Sequence, residues 1–282
     1  MHAARGIIRQ NQSVIPGFGI TFGITVAALS LVVLIPLAAL AFKAASVGPA
    51  DFWRIATNPR TLDALRLSFG AAFIAAAINA VFGLLVAWVL VRYQFPGKRI
   101  LDAAIDLPIA LPTSVAGISL AVIYAPNGAI GSLLASLGIK IAYTPYAVVL
   151  ALIFVGLPFV VRTVQPVLAE SEKDIEEAAA LLGASRTRTI FNVILPAITP
   201  ALLTGFALAF ARGIGEYGSV IFIAGNLPFV SEIAPLLIVI RLEEFDYGGA
   251  AVIATVMLAL SFSLLVLISM LQNWNRRRLG YV

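Results

Sequence analysis

Apolar residues in this chain come in long unbroken runs, with the charged residues gathered between them. No Asp, Glu, Lys or Arg lies between Arg9 and Lys43. Further uncharged runs separate Arg66 from Arg92, Asp106 from Lys140, Lys140 from Arg162, Arg188 from Arg212, and Asp246 from Arg276. About 20 apolar helical residues cross a hydrocarbon core of about 30 Å. The pattern therefore predicts six transmembrane helices, near 18–42, 66–91, 104–125, 143–163, 200–223 and 249–271. Arg212 and Glu216 interrupt the fifth. The apolar piece Ile233 to Ile240, between Glu232 and Arg241, is too short to span and predicts a short interfacial or buried helix on the far side. The runs are continuous and lack the alternation of a membrane barrel strand, which leaves helices as the spanning element.

Basic residues fix the orientation. Twelve Lys and Arg fall in the two tails and in the loops after spans two and four; six fall on the opposite side and Arg212 lies within a span. Both termini are thus expected in the cytoplasm. Composition agrees with a membrane chain, since 61% of the 282 residues are hydrophobic and 12% charged, against roughly 25% charged in soluble domains. The net charge of +5 sits beside spans and is a topology signal, not a nucleic-acid surface. The first apolar run is too long for a secretory signal, and Ala44 and Ala45 make a poor cleavage site. It is expected to stay as a helix, kinked or ended early near Pro36.

The chemistry available is limited. Cysteine is absent and His2 is the only histidine, which excludes disulfides, thiolate metal sites, multi-histidine metal sites and a histidine base. Gly97-Lys98 lacks both the earlier glycine and the following hydroxyl of a phosphate-binding loop, so the chain is not expected to hydrolyse ATP. Arg212 and Glu216 are the conspicuous charges. Four residues apart inside an apolar span, they read either as a structural ion pair or as part of a pathway or gate, with Arg212 offering donors to an anion and Glu216 restraining it. Gly213, Gly215 and Gly218 surround them with little bulk. Pro108 and Pro112, with Thr113, Ser114 and Gly117, suggest a broken helix that either lines a passage or is a structural kink. Asn79 within span two is explained by an interhelical hydrogen bond.

The longest loop on the predicted cytoplasmic side, 164–199, reads as helix, turn and helix. Ser171 and Asp174 have capping-box spacing, Ala178, Ala179, Leu181 and Leu182 form a compact face, and Gly183 suits the helix end. A second short helix is expected to start near Ser185 and stop before Pro196. Small alanines permit close approach of a partner, with Glu176 and Glu177 to pair with its donors; the alternative is a solvated hairpin that merely links spans. Its acidic first helix disfavours DNA binding.

Glu177-Ala178-Ala179, Gly183 and Val193-x-Leu195-Pro196 resemble the EAA loop of ABC-transporter permeases, departing only in Val193 where isoleucine is usual. Arg92 to Arg99, Asp106 to Gly117, Leu157 to Pro166, Arg212 to Gly218, Phe222 to Asn226 and Arg241 to Tyr247 are similar to the sulfate and molybdate importer permeases, most of all to the sulfate/thiosulfate type. The resemblance covers about Pro16 to Arg278. It implies an all-α, type I importer permease of one transmembrane domain, 1–282, in a bacterial cytoplasmic (inner) membrane. It further implies that Glu177, Ala178, Ala179, Gly183, Leu195 and Pro196 couple to a cytoplasmic ATPase. Implied partners are a second, homologous permease, two copies of that ATPase, which hold the ATP and Mg, and an external sulfate-binding protein. Molybdate or tungstate is the alternative substrate. A secondary transporter or a membrane scaffold is the answer of a different class; the first predicts uptake driven by an ion gradient, the second no transport phenotype when the loop is disrupted.

Overall fold

The computed structural model describes residues 18–170, 179 and 181–278. Its elements are helices, with no strand among the described residues. Five are long and apolar enough to cross a membrane: α1 (Phe18–Ala45), α3 (Pro59–Arg92), α8 (Pro145–Glu170), α9 (Arg186–Ile214) and α12 (Tyr247–Arg278), whose apolar part is Tyr247–Met270. Shorter helices join them: α2 (Pro49–Ala56), α4 (Lys98–Ile105), α5 (Leu107–Ala110), α6 (Thr113–Tyr124), α7 (Gly131–Ser136), α10 (Val220–Ile223) and α11 (Ala234–Glu243). The helix expected between Glu232 and Arg241 is α11.

Helices α3, α8 and α9 pack against one another most extensively and form the core. Their contact faces carry small residues, including Ala71, Ala72, Ala75 and Ala76 on α3, Ala147 and Ala151 on α8, and Gly205 and Ala209 on α9, all buried. Lipid is as apolar as a leucine side chain, so close backbone approach must supply the association that water would drive elsewhere. A Cβ at Gly205 would lie 2.9 Å from the backbone Cα of Val160, and one at Gly83 2.8 Å from a Val160 methyl. The first stretch of α1, from Phe18 to Leu34, has no buried residue and is exposed apart from half-buried Ser30, while the end of α1 packs on α12. Buried Asn79 donates from Nδ2 to the Ile153 carbonyl (3.1 Å), the interhelical bond expected of it.

Three boundaries differ from the sequence expectation. The stretch 104–125 is divided among the end of α4, α5 and α6, with Leu111 and Pro112 extended between the last two; at 12 residues α6 is too short to cross a membrane alone. The fifth span begins earlier and ends earlier than 200–223, stopping at Ile214. The segment beginning at Arg186 also does not stop before Pro196 but runs straight on. A π turn at Ile190–Ile194 makes this possible, the Leu195 amide bonding the Ile190 carbonyl. It widens the helix just where the proline lacks a donor and its ring would press on the preceding turn. Pro36 is handled the same way by a π turn at Ser30–Leu34, so α1 is not ended there.

Candidate functional site

Arg212 occupies the last turn of α9, and Glu216 lies just beyond its end. The pair forms, with 2.5 Å between Nη1 and Oε2, but it bridges a helix end and does not lie along one helical face. Glycines at 213, 215 and 218 lower the helical preference here, and Glu216 supplies the replacement bonds. Its Oε1 accepts from both the amide and the hydroxyl of Ser219, each at 2.9 Å, ahead of α10. Glu216 is therefore saturated and only 2% exposed, whereas the Arg212 side chain is 35% exposed. The guanidinium is held by one side and open on the other.

The second interrupted segment meets the first. A Cβ on Gly117 would fall 2.2 Å from the Ser219 carbonyl oxygen, and one on Gly218 would fall 2.2 Å from Thr113 Oγ1. The start of α6 thus lies against the turn after α9, with the Ser219 backbone in the space a side chain at Gly117 would take and the Thr113 side chain in that of Gly218. Thr113, Gly117, Gly218 and Ser219 form the seam. Pro112 precedes α6, its carbonyl accepting from the Val115 and Ala116 amides. Ser114, Pro112 and Gly215 are exposed beside it. All six residues singled out for a path or gate, Arg212, Glu216, Pro112, Thr113, Ser114 and Gly117, consequently belong to one junction of two chain breaks. Chemically it presents a partly open guanidinium, hydroxyls and backbone, groups that can exchange hydrogen bonds with an oxyanion without enclosing it.

Of the loop residues, Glu177 and Ala178 lie outside the described residues, as do Ser171 and Asp174. Ala179 is helical and its carbonyl accepts from the Ala184 amide at 3.0 Å. Gly183 has φ +80°, the left-handed conformation of a helix-ending glycine. Ser185 caps the next helix, its hydroxyl accepting from the Arg188 amide. Leu181 and Leu182 are each 89% exposed and Phe191 is 61% exposed. Leu195 and Pro196 lie within α9, so the loop's far end and Arg212 share one continuous helix.

Two charged clusters escape a reading of the sequence. Arg60 makes a bidentate pair with buried Glu232, at 2.8 and 2.7 Å, across 172 positions; no single-sequence signal could link them. Arg162 holds Asp102 and Asp106. There the signal was two acids four apart before one apolar run and an arginine at the end of another, and it is equally the mark of span ends.

Residues 79–281 match the family described as binding-protein-dependent transport system inner membrane component. Among curated proteins, the sulfate transport system permease protein CysT of Salmonella typhimurium is 46% identical over 272 residues, covering 96% of this chain and 98% of that protein. The probable sulfate transport system permease protein cysT of Nephroselmis olivacea is 53% identical over 247 residues, covering 88% and 87%. Among solved structures, the fold is similar to a chain of a bacterial alginate ABC transporter in complex with its pentasaccharide-bound periplasmic protein, with a TM-score of 0.71, 15% identity and 93% and 94% coverage. The chain belongs to the family of binding-protein-dependent transport system inner membrane components, as a multi-pass ABC importer permease with CysT proteins as close homologues.

Proposed function

We propose that the chain is the transmembrane subunit of an ATP-driven importer that carries sulfate, and thiosulfate with it, into the cytoplasm. The observation that carries this reading is the near end-to-end similarity to permeases named for sulfate transport. The junction described above is compatible with that cargo, because a tetrahedral dianion needs several donors and a route that does not trap it. Coupling runs through 171–196, with Glu177, Ala178, Ala179 and Gly183 on the docking surface. Leu195 and Pro196 carry its motion along α9 to Arg212. The chain supplies no ATPase site of its own. It works with a CysW-like second permease, two copies of a CysA-like ATPase and an external sulfate-binding protein, in a bacterial inner membrane with both termini inside.

The test is uptake of labelled sulfate into vesicles carrying the chain with its co-purifying subunits and binding protein. Saturable uptake that needs ATP and resists modest molybdate competition is the expected outcome. Uptake of molybdate with none of sulfate would replace the substrate, and uptake without ATP would replace the class of machine.

A further inference from the structure

Arg162 lies within α8, the helix that runs directly into the cytoplasmic loop, with Pro158 and Pro166 on either side of it. Its guanidinium donates five hydrogen bonds. Nε and Nη2 take both oxygens of Asp106 (2.8 and 2.7 Å), Nη1 takes Asp102 Oδ1 and Gln165 Oε1 (both 2.7 Å), and Nη2 also takes the Asp102 carbonyl (2.8 Å). Asp102 lies in α4 and Asp106 just past its end, at the head of the short α5 that leads to the Pro112 break. The side chains of Arg162, Asp102 and Asp106 are 32%, 40% and 48% exposed. Ion pairs this open add little to stability. What a planar fork on two carboxylates and a carbonyl does supply is fixed relative orientation.

We infer that Arg162 is a transmission joint that delivers displacement of the cytoplasmic loop to the Thr113 side of the junction. The Arg212 side needs no such device, because α9 joins it to the loop by continuous helix. The α6 side is separated from the loop by a long stretch of chain, and the Arg162 cluster ties the two together close to the start of the break. Both halves of the junction thereby move with one loop. This is a positioning role, since Arg162 does not touch the proposed cargo. The inference rests on the importer reading above.

The experiment measures sulfate uptake and ATP hydrolysis together in the reconstituted complex. Arg162→Met, which keeps an unbranched stem and removes every donor, is expected to raise the ATP hydrolysed per sulfate imported roughly two- to thirtyfold, the range of mutations that loosen a coupled network. Arg162→Lys should fall between it and the wild type, because an ammonium keeps the charge and loses the fork. Asp106→Asn, on a half-exposed carboxylate, raises the same ratio by less and decides the matter if Arg162→Met does not assemble. An unchanged ratio in assembled variants overturns the joint, and so does loss of both activities in proportion, which a purely structural role predicts. A wild-type complex with no ATP-dependent sulfate uptake would sink the importer reading instead, so the two failures are distinct.

Discussion

A carboxylate that is 2% exposed at the end of an apolar span must be paired, and Glu216 uses both oxygens to do so. Arg212 has donors to spare. This asymmetry makes the two readings that the sequence leaves open separable by mutation. Arg212→Gln strands a buried charge and should cost roughly 2 kcal/mol of stability, less than a fully buried pair because the arginine is partly exposed. Arg212→Gln with Glu216→Gln removes the stranded charge and should recover much of that loss. Thermal unfolding of the purified subunit and sulfate uptake, read side by side, tell the roles apart. Stability should return in the double variant while uptake stays depressed about tenfold or more; uptake returning with stability would make the pair structural only. The two residues were legible in the sequence because charge inside an apolar run is costly. Arg162 carried the same sign, but at the end of its run it is indistinguishable from a basic residue marking a membrane boundary.

Element positions were legible where an uncharged run folds as one unbroken helix, as for α1, α3, α8 and α12, and not in the run after Asp106, which the break at Pro112 divides. Element ends were not, and proline and glycine explain why. Pro36 and Pro196 look like stops, yet a π turn before each absorbs the missing amide and the ring. Pro112 is a true break, with the backbone extended at Leu111 and Pro112. Nothing local in the sequence distinguishes these cases. Gly218 read as a small residue beside the charged pair and Gly117 as part of a broken helix, and their shared place became visible only when the two breaks were placed against each other. Gly218→Val should wedge Thr113 away from the turn, since a Cβ there would already fall 2.2 Å from Thr113 Oγ1. Uptake by this variant is expected to drop several-fold, as overpacking of a tight contact forces backbone to shift. Gly215→Ala is the control, because no atom lies within 4 Å of its Cβ position; equal loss in both variants would deny the seam its importance.

At the scale of the molecule, α3, α8 and α9 form a tight small-residue core. Around it α1 presents an apolar face and the two broken segments converge on one junction. The helical membrane class and the family were readable from run lengths, basic-residue bias and the EAA pattern. The convergence was not, because it depends on how α6 and the turn after α9 pack, and no periodicity encodes that. The absence of native cysteine makes a direct test of the junction practicable. Ser114→Cys and Gly215→Cys, each at an exposed junction position, should react with a membrane-impermeant anionic thiol reagent during ATP-driven turnover. Leu31→Cys, on the apolar face of α1 and 67% exposed in the isolated chain, serves as the control away from the junction. The decisive reading is sulfate uptake after that treatment. Uptake should be blocked at 114 and 215, the block slowed by excess sulfate, and unaffected at 31; free reaction at the junction positions with uptake intact would rule out a path for the anion there.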